Sequence, residues 1–206
     1  MMETVLQLTP ERFSEGMTVA QFVEGMSKNK ELFQERYDSY KLSDEVASEL
    51  REMGLRLKVL VLLEDWCGDV LRYVPVFARM AEAAGTWQVR LFCRDEHLDM
   101  ADTWRKNGQF RSIPVIVFFD EELHEVGCFI EKPAAVYGDD HSSRDQFARQ
   151  HPHLADAHVP PLEMSPDTYN LYVEFIREFR ANNTTRWQDM FVQEILEKLR
   201  NVPVAA

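Results

Sequence analysis

The fold is decided by residues 58–70, which read Lys58-Val-Leu-Val-Leu-Leu-Glu-Asp-Trp-Cys-Gly-Asp-Val70. The apolar run from Leu57 to Leu63 is too short to cross a membrane, and its Val and Leu content predicts a strand buried on both faces. Beyond the Trp-Cys-Gly sequence the period changes, and apolar residues recur at the spacing of a helix: Val70, Tyr73, Val74, Phe77, Met80, Ala81 and Ala84. Cys67 is therefore predicted to lie where a buried strand turns into a helix.

A thiol at the start of a helix faces unpaired backbone N–H groups and the positive end of the helix dipole. Both favour the thiolate over the thiol, so this position predicts that Cys67 is a nucleophile near neutral pH. The alternative interpretation is a thiol that only occupies a structural turn.

Composition limits the classes of protein that fit. The 206 residues are 45% hydrophobic and 28% charged, which is typical of a soluble globular protein with one large domain or a core with helical additions. The sequence lacks a membrane-helix run and the basic and apolar segments of a signal peptide, so we expect a cytoplasmic protein without membrane contacts. A formal charge of -12 and the lack of a basic stripe argue against a nucleic-acid partner.

Residues 1–54 are predicted to form an N-terminal helical extension packed on the core. Thr18 and Gln21 have the spacing of a capping box, Ser43 is a candidate cap for a further helix, and Gly54 is placed to end that helix. The aromatic residues between them are interpreted as packing rather than as a binding site.

Residues 55–133 are predicted to form the core. Trp87–Cys93 follows the first strand and helix as a second strand, which implies a parallel, right-handed crossover. A helix is expected from His97 to Asn107. The apolar run Val115–Phe119 and the segment Glu125–Ile130 are expected to form an antiparallel hairpin.

Residues 134–206 are predicted to complete the same domain. The stretch from Gly138 to Pro166 is rich in proline, histidine and small or charged residues, so it is predicted to be irregular, with one short helix near Gln146. Two separate helices are then expected, the second capped by Thr184 or Thr185.

Three spaced features together resemble the thioredoxin family: Trp66-Cys67-Gly68 after a buried strand, Pro75 in the following helix, and Ile113-Pro114 before the next strand. The resemblance spans Leu57 to Lys132 and is to members with a Trp-Cys-Gly-Asp active site. It implies an α/β thioredoxin-like fold with a central four-stranded mixed sheet flanked by helices. It also implies a cis Pro114 beside Cys67, and backbone groups next to that proline that bind an extended peptide or a thiol substrate.

Two departures from the family pattern concern one half-reaction. The second cysteine of the redox motif is replaced by Val70, which cannot attack a mixed disulfide as a resolving thiol does. Val61 stands where thioredoxins often bury an aspartate that takes the proton of that resolving thiol. A chain without a resolving thiol needs no such base.

The leading hypothesis is therefore a monothiol reaction, in which Cys67 forms mixed disulfides and an external thiol completes the cycle. The alternative is a non-catalytic binding module that keeps the peptide groove of the fold. In both, the substrate-binding residues are predicted to be Trp66, Gly68, Asp69, Ile113 and Pro114. We expect a protein or low-molecular-weight thiol or disulfide as partner, and no cofactor or metal. The sequence leaves open whether the protein forms a homodimer. The apolar faces of the N-terminal and C-terminal helices could pack on the sheet or on a second copy of the chain.

Acidic residues complicate the reactivity of Cys67. A carboxylate at Asp69 would raise the thiol pKa, although an acidic residue is also favourable at a helix start. Glu64 and Asp65 add negative charge, which makes an anionic partner such as glutathione less attractive, and Arg72 and Arg111 could offset it locally.

The other candidate groups are weaker. Cys93 ends the neighbouring strand and could act as a resolving thiol, or be an ordinary structural cysteine; Cys128 belongs to the hairpin and is expected to be remote. The cluster His151, His153 and His158 lacks the spacing of a metal site and is interpreted as a solvated loop.

Overall fold

The computed structural model describes residues 8–202. It forms two compact units, one of which joins the chain up to Lys132 with the segment from Val192 onward, while the other is Pro133–Phe191. The helices and strands, in chain order, are α1 (Pro10–Ser14), α2 (Val19–Gly25), α3 (Lys30–Ser39), α4 (Asp44–Glu52), β1 (Lys58–Leu63), α5 (Gly68–Ala84), β2 (Gln88–Cys93), α6 (Leu98–Thr103), β3 (Val115–Phe119), β4 (Glu125–Ile130), α7 (Ala134–Gln150) and α8 (Pro166–Leu199), with a 3-10 turn at Pro161–Glu163 before α8.

The sheet has the strand order β2-β1-β3-β4. β1 pairs parallel with β2, placing Leu63 beside Cys93, and antiparallel with β3; β3 and β4 form the antiparallel hairpin. This confirms the predicted α/β fold with a four-stranded mixed sheet flanked by helices. The five residues from Val59 to Leu63 are fully buried, as expected for a strand covered on both faces.

The N-terminal helices begin where the sequence predicts. The amide of Gln21 donates to the Thr18 hydroxyl at 3.2 Å while the Thr18 amide donates to the Gln21 side chain at 2.8 Å, which is a complete capping box. Ser43 accepts the amide of Val46, and Gly54, at φ +62°, follows the end of α4 in a left-handed conformation. α3 and α4 pack on α5.

The N-terminal segment also protects one edge of the sheet. Met17 forms an isolated antiparallel bridge to Leu91 of the edge strand β2, with N–O distances of 2.9 and 2.8 Å. The two hydrogen bonds occupy the backbone groups of Leu91, so this position of the edge strand is not available to another chain.

The prediction of an irregular stretch after Gly138 is wrong for its first part, because α7 runs unbroken from Ala134 to Gln150. The hydroxyl groups of Ser142 and Ser143 donate to the carbonyl oxygens of Asp139 and Asp140, three residues earlier. These residues, which favour turns, are thus accommodated on the helix itself.

The prediction of two closing helices is also wrong, since α8 is one helix of 34 residues. Thr184, interpreted as a cap, instead donates its hydroxyl to the carbonyl of Arg180 at 2.7 Å, and the Asn183 amide donates to the carbonyl of Phe179 at 2.8 Å. Side chains that bond back by one turn let the helix continue.

The helix expected from His97 to Asn107 is shorter, because α6 ends at Thr103. Lys106 and Phe110 form a small bridge around a turn in which Asn107 and Gly108 have φ of 52° and 69°. The Asn-Gly pair therefore makes the tight turn of the loop that leads to Pro114.

Candidate functional site

Cys67 lies at the junction that the sequence predicts. It is the N-cap residue of α5, with an extended backbone, and its carbonyl accepts the amide of Leu71 at 3.0 Å. The strand β1 delivers the chain to this point, and the helix begins at the next residue, Gly68. A Cβ at Gly68 would meet no atom within 4 Å, so the space beside this residue is open.

The second part of the site comes from the loop before β3. The peptide bond between Ile113 and Pro114 is cis, as the family resemblance implies. The Cys67 thiol donates to the carbonyl oxygen of Ile113, with an Sγ–O distance of 3.6 Å. Residues 46 positions apart in the sequence thus meet at the end of the sheet where β1 finishes and β3 begins.

The pKa of the Cys67 thiol is raised above its ordinary value. Burial is the largest cause and Asp69 adds to it, while the backbone amides of Val70 and Asp69 and the charge of Arg94 act in the opposite direction. The helix start does favour the thiolate, but loss of water around the sulfur outweighs it. The sequence-based expectation of a thiolate near neutral pH therefore misses the dominant effect.

The carboxylate of Asp69, which raises the pKa of Cys67, also forms an ion pair with Arg72. Its carboxylate accepts a hydrogen bond from Arg72 at 2.6 Å, one turn along α5, and the Arg72 side chain is almost fully buried. The pair places a cation beside Asp69 and so partly neutralises its charge. An effect of Arg72 on Cys67 itself stays a prediction, because the cation that lowers the pKa of Cys67 is Arg94. Arg111 is held by Asp102 at 2.5 Å.

Trp66 stands exposed beside the sulfur, with 46% of its surface accessible. The guanidinium of Arg94 lies 5.3 Å from the centre of its ring and also donates to the carbonyl of Arg111 at 2.9 Å. Arg94 thereby links the loop that holds Trp66 to the loop that leads to Pro114. The sequence reasoning missed this residue, although its position directly after β2 places it at the same sheet edge as Cys67.

The turn that carries Trp66 is fixed by its neighbour Asp65. The Asp65 carboxylate accepts the amide and hydroxyl of Ser27 at 2.8 and 2.9 Å and the amide of Lys28 at 2.9 Å. Burial alone would raise the pKa of Asp65, but these hydrogen bonds lower it below the ordinary value. The α2–α3 connection therefore holds the turn that carries Trp66 in place.

The wall behind the thiol is apolar. Val70, at the position of a second cysteine, and Val61, at the position of a buried aspartate, are both fully buried. Neither side chain can attack a disulfide or accept a proton, so these positions supply packing only.

The other two cysteines are free thiols with raised pKa values. Burial, helped by acidic neighbours, raises the pKa of Cys93 to about 11 and that of Cys128 to about 12. Cys93 lines a small pocket of about 220 Å³ together with Glu64 and Asp65. A role of Cys93 as resolving thiol stays a prediction.

The histidine cluster is placed after α7, where the rings of His151 and His153 lie 5.8 Å apart and His151 packs on Phe147 at 4.5 Å. Within residues 8–202, the group with metal-ligand geometry is a different one, at the hairpin turn: Asp120, Glu122 and His124, whose ligand atoms lie within 4.8 Å of one another. Asp120 is already used there to accept the amides of Glu122 and His124, and Glu122 and His124 are exposed.

Comparison with known families identifies the chain. A family model described as thioredoxin matches residues 16–138. The chain belongs to the thioredoxin family. The match covers the helices α2 to α6, the whole sheet and the start of α7, so three of the N-terminal helices, α2, α3 and α4, belong to the thioredoxin-family region.

Solved structures agree at the level of the fold. An HIV epitope-scaffold superposes with a TM-score of 0.60 at 16% identity, covering 94% of this chain and 98% of its own. A protein of unknown function from Pseudomonas aeruginosa superposes with a TM-score of 0.56 at 18% identity, covering 84% of this chain and 99% of its own. Comparison with curated proteins gave no significant match. No helix within residues 8–202 is long and apolar enough to cross a membrane.

Proposed function

We propose that this protein carries out single-thiol exchange, in which Cys67 forms mixed disulfides with a thiol or disulfide partner bound at the Ile113–Pro114 loop. The observation that carries the proposal is the 3.6 Å contact between the Cys67 sulfur and the carbonyl oxygen beside the cis proline. A partner seated on that loop would present its sulfur to Cys67. Trp66 and Gly68 would border the entry, and Asp69 would set the charge at the helix start.

The backbone at this loop supports binding of an extended peptide. The carbonyl of Pro114 already accepts the amide of Glu131 at 2.7 Å, whereas within the described residues the amide of Ile113 donates to no acceptor. Strand β3 begins only at Val115, so Ile113 lies beyond the paired part of the sheet. An unsatisfied N–H next to a carbonyl is what a peptide strand needs for two main-chain hydrogen bonds.

The reaction needs one protein thiol and two partners. The Cys67 thiolate, after loss of its proton to water, attacks one sulfur of a disulfide, forms a mixed disulfide and expels the other sulfur as a thiolate. An external thiolate then attacks the partner's sulfur in the mixed disulfide and releases Cys67 as a thiolate. Val70 cannot take part, so the mixed disulfide persists until an external thiol arrives.

Reaction with a neutral disulfide tests the proposal. A variant with Cys93→Ser and Cys128→Ser keeps only Cys67, and incubation with 4,4′-dithiodipyridine followed by mass spectrometry should show one adduct that glutathione removes. The same background with Cys67→Ser should show none. Absence of an adduct on folded protein, even at about pH 9 where a raised thiol pKa still allows some thiolate, contradicts the proposal.

The raised pKa of Cys67 favours a second candidate, a binding module of the same fold that does no thiol chemistry. The two functions predict different behaviour of Cys67→Ser with a cysteine-containing peptide of extended conformation. A binding module should hold the peptide with unchanged affinity after this substitution. A thiol-exchange protein should lose the covalent complex that the unmodified protein forms with this peptide.

A further inference from the structure

Arg94 is placed by the sheet and held by its own neighbours. It follows the last residue of β2, and its amide donates to the carbonyl of Leu63 at 3.0 Å, where β1 ends. The Nε of its guanidinium donates to the carboxylate of Asp95 at 2.7 Å, and the amide of Asp95 donates to the carboxylate of Glu64 at 2.8 Å. Both the backbone and the side chain of Arg94 are therefore fixed at the end of the sheet that carries Cys67.

From that position the guanidinium of Arg94 reaches two separate segments. It lies 5.3 Å from the centre of the Trp66 ring, directly before Cys67, and its Nη1 donates to the carbonyl of Arg111 at 2.9 Å, three residues before Pro114. A guanidinium can make both contacts at once because it is planar, so its face covers a ring while the N–H groups at its edge donate. A lysine ammonium has no such face.

Arg94 also carries a positive charge that acts on the sulfur. Burial is the largest cause of the raised pKa of Cys67, and Arg94 is the side-chain cation that opposes it. The side chain of Asp95 is 56% exposed and that of Arg94 is 19% exposed, so water screens the negative charge of this pair more than the positive one. Cys67 is a thiolate before it attacks a disulfide and again when an external thiolate releases it, and a nearby cation stabilises both states.

We propose that Arg94 is a positioning residue for the exchange reaction. It holds Trp66 and the loop that leads to Pro114 as the two walls between which the partner binds, and it supplies the positive charge that favours the Cys67 thiolate. This inference rests on the exchange function proposed above, and it assigns to one residue the link between binding of the partner and activation of the thiol.

The charge of Arg94 is tested by the pH dependence of Cys67 alkylation with iodoacetamide. The parent protein for these measurements carries Cys93→Ser and Cys128→Ser. Arg94→Gln removes the charge, so the inflection should move to higher pH and alkylation at about pH 7 should slow roughly threefold, because less thiolate is present. Arg94→Lys keeps the charge and should leave the inflection in place. An unchanged curve for folded Arg94→Gln, or for Arg94→Met if the first variant does not fold, overturns the proposal.

The positioning role is tested with a partner that must lie between the two walls. An extended peptide with its cysteine disulfide-bonded to 2-thiopyridine reacts when the Cys67 thiolate attacks the peptide sulfur and expels the thiopyridine thiolate, which is followed by absorbance. Arg94→Lys cannot both cover Trp66 and hold the carbonyl of Arg111, so this reaction should slow roughly threefold to tenfold while alkylation does not. An unchanged rate with the peptide contradicts the positioning role.

Arg90 provides the matched control. It also belongs to β2, three residues before the end of the strand, where its guanidinium lies 6.0 Å from the centre of the Phe13 ring and donates to the carbonyl of Val89 at 2.9 Å. Arg90→Gln removes the same charge and a similar ring contact, and both reactions should proceed as in the parent protein. If it shifts the alkylation curve as much as Arg94→Gln does, the effect comes from the net charge of the protein and the proposal is refuted.

Acrylamide quenching of tryptophan fluorescence separates this inference from the exchange reaction itself. Arg94→Gln should uncover one face of Trp66 and increase quenching, and the same substitution in a Trp66→Phe background should not. Unchanged quenching in Arg94→Gln would mean that Arg94 does not hold Trp66, which contradicts the inference. Quenching and alkylation need no disulfide. If both respond to Arg94 as expected and yet the parent protein reacts with no disulfide, it is the exchange function that fails.

Discussion

The reactivity of Cys67 depends on two opposing effects on a single sulfur. The start of α5 supplies backbone amides that stabilise a thiolate, while burial removes water that would stabilise it more. Asp69 tips this balance further toward the protonated thiol, and the charge of Arg94 acts in the opposite direction. Substitutions at these residues should therefore move the pKa in directions that the structure specifies.

Replacing the acidic residue beside the thiol should increase reactivity. Asp69→Asn removes a negative charge that raises the Cys67 pKa, so the pKa should fall. A lower pKa means more thiolate, so alkylation by iodoacetamide should be faster, by about threefold, at pH values below the thiol pKa.

The pH dependence of the alkylation rate measures this directly, because the inflection should move to lower pH. Asp44→Asn, also in the first turn of a helix, is the matched control and should leave the curve unchanged. The Asp69→Asn variant is also expected to be less stable, since the buried Arg72 loses its ion pair with Asp69. A curve that stays in place would show that Asp69 does not act on the sulfur.

Restoring a second cysteine should change the reaction class. Val70→Cys places a thiol three residues after Cys67 at the start of α5. Side chains three positions apart are neighbours on one face of a helix, so the two sulfur atoms can meet. We expect an intramolecular disulfide and measurable insulin reduction driven by dithiothreitol, both weak or absent in the unmodified protein. Val74→Cys, buried one turn further along the helix, should give neither.

At the scale of elements, the site depends on how the N-terminal segment is fixed to the sheet. The Asp65 carboxylate binds the α2–α3 connection, and Met17 pairs with the edge strand β2. Between α1 and that bridge the chain passes Gly16 at close range to β2. This approach, rather than a special backbone angle, is what requires glycine there.

Gly16→Ala should destabilise the protein. A Cβ at this position would lie 2.6 Å from two ring atoms of Phe92 and 2.8 Å from the Cβ of Arg90, so the segment must move. We expect a loss of about 1–3 kcal/mol in the free energy of unfolding, measured by urea denaturation. Gly25→Ala, with no atom within 4 Å of its new Cβ, is the control and should be neutral or slightly stabilising. Equal stability of the two variants would mean that the segment does not pack closely on β2.

At the scale of the whole molecule, the formal charge of -12 acts on every approaching partner. Negative potential around the protein repels anions at low ionic strength and is screened by salt. This field should distinguish partners of equal chemistry but different charge, whatever the local geometry at Cys67.

An anionic disulfide should therefore react more slowly with Cys67 than a neutral one. With Cys67 as the remaining cysteine, the rate with 5,5′-dithiobis(2-nitrobenzoate), relative to 4,4′-dithiodipyridine, should rise several-fold between about 20 mM and about 500 mM salt, because screening shortens the range of repulsion. The same two disulfides are also reacted with N-acetylcysteinamide, a small thiol without further charges. The ratio of its two rates shows how salt acts when no protein charge is present. If the rate ratio for Cys67 rises with salt no more than the rate ratio for this small thiol, the overall charge of the protein has no influence on the site.

The sequence by itself determined the parts that depend on neighbouring residues. The buried run before Trp66, the helical period after Cys67, the capping box at Thr18 and the hairpin of β3 and β4 all follow from local pattern, and the structure has each of them. Local pattern failed in α7 and α8, where serine, threonine and asparagine side chains bond to the carbonyl one turn back instead of ending the helix.

Only the tertiary structure decided the chemistry of the site. The contact of Cys67 with Ile113, the burial that raises the thiol pKa and the place of Arg94 all join residues from separate strands and loops. Solvent exclusion and distance are properties of the packed chain, so the sequence located the thiol while the fold set its pKa.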